Sequence, residues 1–185
     1  MSKLSLAVPL FALVCALSAP ASTIAINNAS FEADVQTGTG PTSFTFDDVP
    51  GWSFANNAYV FTWAPSVGPG GEFPGGIPNG ANVVWVGGPN VVGPYSATLS
   101  QTLSAKLEAN TTYTMTVYVG QRADIPLSGY TISFGAGGVV LASDSSLRPD
   151  PGTFLADTIT FDSGSHPAEL GQSLEINLYG SGVTS

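Results

Sequence analysis

Basic residues, histidine and cysteine are scarce in this chain, and each shortage closes off a class of function. Only four Lys and Arg stand against 13 Asp and Glu in 185 residues, a formal net charge of −9. Binding to phosphate needs a basic face, so nucleic acid is excluded as a partner. The one histidine, His166, lies in "DSGSHPAELG", a stretch of loop composition where it reads as a solvated residue. A lone imidazole with no cysteine beside it argues against a catalytic triad and against a zinc centre. The one cysteine, Cys15, falls in an apolar leader. Once that leader is removed the chain has no disulfide, no thiol nucleophile and no thiolate ligand.

The leader has three parts. Met1 to Lys3 are a short basic start, Leu4 to Leu17 an apolar stretch, and Ala19-Pro20-Ala21 a small-residue cleavage site. Residues 1–21 are therefore expected to be a signal peptide. Residues 22–185 then form a single secreted domain, extracellular or at the cell surface. The apolar run is too short to cross a bilayer, so no membrane span is expected in the mature chain.

Charged residues make up 9% of the chain, while glycine (22) and proline (14) are plentiful, which suits short strands joined by turns. The dominant period is two. In "TTYTMTVYV" Tyr113, Met115, Val117 and Val119 share one face, opposite Thr112, Thr114, Thr116 and Tyr118. Leu174, Ile176 and Leu178 alternate in the same way, and so do Leu155, Ile159 and Phe161 in "FLADTITF". Further strands are expected at residues 24–26, 44–46, 59–63, 82–86, 97–103, 130–134 and 139–143, with a helical turn only near Glu169. About ten short strands predict an all-β, two-sheet antiparallel jelly-roll sandwich. One connection, residues 66–82 ("SVGPGGEFPGGIPNGAN"), is long for a hairpin and is a candidate functional loop.

Three segments, "NNASFEAD" with "PGW", "SQTLSAKLEANTTYTMTVYVGQR" and "GYTISFGAGGVVLASDSS", carry a family likeness. Through them the chain resembles secreted bacterial proteins of the galactose-binding-like, carbohydrate-binding-module type, many of which bear a PEP-CTERM sorting tail. The resemblance implies a jelly roll, an extracellular address and glycan or extracellular-polymer partners. Modules of this type usually end in a strand with an Asp near "DNV", whereas this sequence stops at "GSGVTS". A final strand and the tail are thus expected to be missing, leaving a sheet edge open to self-association. The resemblance also implies a structural calcium where first and last strands meet, with Asn28, Glu32 and Asp34 as candidate ligands. The alternative left open is that Phe31 plugs the sandwich end and Glu32 bonds backbone amides. The two Asn-x-Ser/Thr sequons, at Asn28 and Asn110, are read as chance matches.

For a ligand site the material is aromatic, since sugars stack on flat rings. Trp63, Phe73, Trp85 and Tyr95 lie in or beside the Gly/Pro-rich segments, and Arg122 with Asp124 follows a strong strand. Arg122 is expected to be either an ion pair or a ligand hook, and Trp52 and Phe54 to pack the core. The leading functional expectation is a non-catalytic carbohydrate-binding module. A structural or adhesive envelope protein comes second, and third a glycan-active enzyme using Asp47, Asp48, Glu72 or Asp124.

Overall fold

A computed structural model of the chain describes residues 21–34, 36, 44–46, 49–55, 60–87 and 96–181. The leader through residue 20, Asp47, Asp48 and Tyr95 lie outside them. The alternating pattern folds as expected, into ten strands and, among the described residues, no helix. These are β1 (Phe44–Phe46), β2 (Ser53–Ala55), β3 (Val60–Trp63), β4 (Val83–Val86), β5 (Ser96–Lys106), β6 (Thr112–Gln121), β7 (Gly129–Ala136), β8 (Val139–Asp144), β9 (Thr153–Asp162) and β10 (Ser173–Ser181). Every strand pairing is antiparallel.

Hydrogen bonding divides the strands into three sheets rather than two: β2-β5-β10-β7-β8, β1-β3-β4, and the ribbon β6-β9. The five-stranded sheet packs against both smaller ones. Leu103, Ile132, Phe134, Leu174 and Ile176 meet Tyr113, Met115, Val119 and Ile159 of the ribbon in the larger core. Ala97 and Leu99 meet Val60, with Val84 and Val86, in the second. Trp52 and Leu178 touch both clusters and join them. The two layers approach closely where β10 passes β4. There Gly180 is required, because a methyl group at that position would run into the Val86 carbonyl.

Four details depart from the sequence expectations. Residues 24–26 are extended, with Ile24 and Ile26 half-buried against the core, but they join no ladder. Their segment is instead held by the Gln101 side chain, which accepts from the Asn27 amide (2.8 Å) and donates to the carbonyls of Asn27 and Gly51 (both 2.9 Å). Strand β2 leaves no signal in the sequence because three residues are too few to show a period. Phe54 within it is 39% exposed, at the sheet's edge, and not in the core. The segment around Glu169 is a turn. His166 is exposed, as expected, with Nδ1 2.9 Å from the Ser165 hydroxyl.

Candidate active site

On β3 and β4 the side chains alternate between the core and the opposite face. Val60 and Thr62 stand with Val86 and Val84 toward the five-stranded sheet, so Phe61, Trp63 and Trp85 point the other way. An outward face is normally wet, yet Trp63 is only 2% exposed. Its cover is the long Gly/Pro-rich connection together with the end of β6. Phe73 lies 6.2 Å from Trp63 and 4.4 Å from Phe154 of β9, centroid to centroid. Phe61 and Trp85, directly opposite in register, stack at 6.0 Å.

Arg122 closes this cluster. Its guanidinium carbon is 4.8 Å from the Trp63 ring centroid and 5.9 Å from that of Trp85. Nε and Nη2 donate to the two carboxylate oxygens of Asp124 at 2.9 and 2.7 Å, a bidentate fork. Nη2 also stands 4.0 Å from Glu72. Hydrogen bonds from Arg122, with its charge, hold the Asp124 carboxyl below the ordinary carboxylate range. Five of the six residues singled out as ligand contacts are thus brought together: Trp63, Phe73, Trp85, Arg122 and Asp124. Of the two roles open to Arg122, the ion pair is the one realised in the geometry.

The same connection forms one wall of a cleft of about 570 Å³. Ala64, Pro65, Val67 and Ile77 give it apolar sides, and Glu32, Asp34, Gln36 and Asn82 give it polar groups. Among the described residues no basic side chain lines it. The opening motif builds the opposite wall. Glu32 Oε1 accepts the backbone amides of Ala81 (2.9 Å) and Asn82 (2.7 Å). Asn82 Nδ2 donates to the carbonyls of Phe31 (3.1 Å) and Asp34 (2.7 Å). Asn28 spans Pro50 O and the Ala33 amide. Phe31 packs on Trp52, 5.6 Å between centroids. Gly80 has φ 65°, and a methyl group there would strike the Glu32 carboxylate.

For a metal, these oxygens are engaged with N–H donors rather than gathered about a point. The Asn82 amide nitrogen occupies the place between two carbonyls, and among the described residues no three His, Cys, Asp or Glu side chains come together. Glu32 Oε2 and Asp34 Oδ1 take no hydrogen bond among the described residues, and both side chains line the cleft. The sequence pointed to Glu32 and Asp34, but it gave no sign of the cleft, whose opposite wall lies some 30 to 50 residues further along the chain.

Fold and site together define an antiparallel β-sandwich domain with an apolar-walled, acceptor-rich cleft of small-molecule size. The model of the HpiC1-like family, described as HpiC1 cyclase, matches residues 22–183, and the chain belongs to that family. Among solved structures it is similar to the Stig cyclase Fisc from Fischerella sp. TAU in complex with (3Z)-3-(1-methyl-2-pyrrolidinylidene)-3H-indole. That match has 30% identity and a TM-score of 0.72, covering 85% of this chain and 87% of the other. It is also similar to a Fischerella sp. TAU cyclase in complex with 4-(1H-indol-3-yl)butan-2-one, at 30% identity and TM-score 0.74, covering 86% and 88%. An apo form cyclase from Fischerella sp. matches at 30% identity and TM-score 0.73, covering 85% and 86%. No curated protein matches this chain.

These matches correct the reading of function. The relatives are cyclases, so the carbohydrate-binding-module likeness, the PEP-CTERM association and the non-catalytic role all give way, and the family points to an enzyme. Glycans and extracellular polymers give way as partners too, since the neighbours hold small indole-derived molecules. The physical reason is that "SFE" and the "SQTL" and "YTMT" strands encode scaffold: Glu32 braces a turn, Leu99 and Leu103 fill the core, and none of these names a ligand. The shortage of histidine and cysteine bears only on triad and zinc chemistry and leaves other enzyme classes open.

Proposed function

We propose that this chain is a cyclase that closes a ring within a small, indole-bearing molecule held in the Glu32/Asp34 cleft. The observation that carries the reading is the pairing of apolar walls at Ala64, Pro65, Val67 and Ile77 with acceptors and, among the described residues, no basic group. An indole offers the complement, a flat apolar body and one N–H donor. Intramolecular ring closure asks the protein to hold a flexible substrate folded, which the walls do. As an indole carbon attacks an electrophile, positive charge develops on its nitrogen. A carboxylate accepting that N–H stabilises the charge as it forms, and Glu32 Oε2 and Asp34 Oδ1 are the atoms placed to do so. Trp63, Phe73, Trp85, Arg122 and Asp124 serve the site by building the wall behind it.

Calorimetric titration of the purified chain with 4-(1H-indol-3-yl)butan-2-one tests this. Saturable binding that is lost in Ile77→Trp, which fills the cleft, and weakened in Asp34→Asn supports the site. Undiminished binding by Ile77→Trp places the ligand elsewhere and refutes it.

A structural calcium at Glu32 and Asp34 is part of the proposal as an alternative occupant, since it would draw on the same two oxygens, with water completing its shell. Asn28 is the weaker candidate, its side chain already bridging Pro50 and Ala33. Melting with calcium and with chelator decides: a rise lost in Glu32→Gln marks a metal site. We also infer a galactose-binding-like jelly roll for the sandwich, one domain over 22–185, and export directed by residues 1–21. Mass spectrometry of the secreted chain, starting at Ser22, would check the last.

A further inference from the structure

The wall of the cleft is anchored from outside it. Glu72 is the bridge: its Oε2 accepts the Ser66 amide (2.8 Å) and its carbonyl accepts the Ala123 amide (2.9 Å). Ser66 O in turn accepts the Phe73 amide (3.2 Å), and Val67 pairs with Phe73 in an isolated bridge, so the two limbs of the connection are closed on each other. Pro65 and Val67, on either side of Ser66, line the cleft from the first limb, and Gly76 and Ile77, just beyond Phe73, line it from the second. Arg122 lines no part of the cleft. Its side chain is 14% exposed, clamped between the Trp63 face, the Asp124 fork and Glu72.

We propose that Arg122 is a positioning residue for the cleft: through Glu72 and Trp63 it fixes where the 64–77 connection stands against Glu32 and Asp34, without touching the ligand. The inference rests on the reading of the cleft as the ligand site. A guanidinium suits the task because its carbon lies over the Trp63 ring while Nε and Nη2 fork onto Asp124, and the same Nη2 stands 4.0 Å from Glu72. An ammonium is a point charge on a flexible stem and can do one of these at a time. Lysine should therefore rescue poorly although it keeps the charge.

The test pairs hydrogen exchange on the ligand-free chain with calorimetry using 4-(1H-indol-3-yl)butan-2-one, on wild type, Arg122→Gln, Arg122→Lys and Glu72→Gln. Arg122→Gln should speed exchange across residues 66–77 about tenfold while β7 and β10 keep wild-type protection. It should weaken the probe about fivefold or more, with Arg122→Lys closer to Gln than to wild type. Glu72→Gln keeps an acceptor for Ser66 and loses the ion pair, so a smaller change in the same segment is expected, and it serves if the Arg122 variants do not fold. Uniformly faster exchange in all strands would mean that Arg122 only stabilises the fold, and would overturn the proposal. A wild type that binds the probe and an Arg122→Gln chain that binds it equally well would overturn the positioning role alone. A wild type that does not bind would overturn the cleft reading and this inference with it.

Discussion

Replacing Gln101 by Leu should destabilise the domain although it swaps a polar side chain for an apolar one at an inward position. On β5 the inward row runs Ala97, Leu99, Gln101, Leu103, and hydrophobic transfer alone would favour leucine there. What opposes it is the set of groups that Gln101 satisfies, the Asn27 amide and the carbonyls of Asn27 and Gly51. A buried group left without its partner costs about 1–3 kcal/mol. Asn27 itself is exposed and water can reach part of this set, so a net loss of about 2–4 kcal/mol is reasonable. For a domain of this size that corresponds to a fall in Tm of about 5–15 °C. Gln101→Glu sharpens the test. It keeps the acceptor for Asn27 but sets a carboxylate against two carbonyls, which favours the protonated form in the folded state. A carboxyl whose folded pKa is raised binds its proton more tightly when folded, so this variant's deficit should shrink as pH falls. Thermal melts from neutral to acid pH, with hydrogen exchange over residues 22–34, measure both effects. A Gln101→Leu chain within about 0.5 kcal/mol of wild type would refute the idea that this amide stands in for a missing strand partner.

Thr62 is fully buried and its hydroxyl has no partner among the described residues, so Thr62→Val should leave stability unchanged or raise it by up to about 1 kcal/mol in urea unfolding. Gly180→Ala should cost about 2–3 kcal/mol in the same assay, since the new methyl must push β10 off the Val86 carbonyl. Tyr130, buried and donating to Asp157 at 2.7 Å, has its phenol pushed from 10.0 up to about 12, chiefly by burial and then by that hydrogen bond. The unfolded chain loses this proton first, so stability should fall as pH rises from about 10 to about 12, with one tyrosine ionising last in an absorbance titration. Tyr130→Phe should remove that late step and cost about 2–3 kcal/mol at neutral pH, because Asp157 and the Leu147 amide lose their partner.

Period two carried most of the fold. Tyr113, Met115 and Val119 are buried and their threonine neighbours exposed, because a half-buried antiparallel strand writes its two faces into successive residues. What it could not carry were contacts that cross the chain. Gln101 interrupts an apolar row, a visible anomaly, but its partner Asn27 is 74 residues away. Asp157 falls in the inward phase of "FLADTITF", and only the approach of β7 supplies Tyr130. The cleft belongs to no element at all, since two irregular segments build it and irregular backbone has no period to read. Scarcity of charge is a second signal that the sequence carries. With so few charges, a charged side chain away from water has to be matched by a specific partner. Glu32, Glu72, Arg122 and Asp157 each meet that condition, through the 80–82 turn, Ser66, Asp124 and Tyr130 respectively. Three of those four line the cleft or anchor its wall, and one of them, Glu32, comes from the opening motif "NNASFEAD".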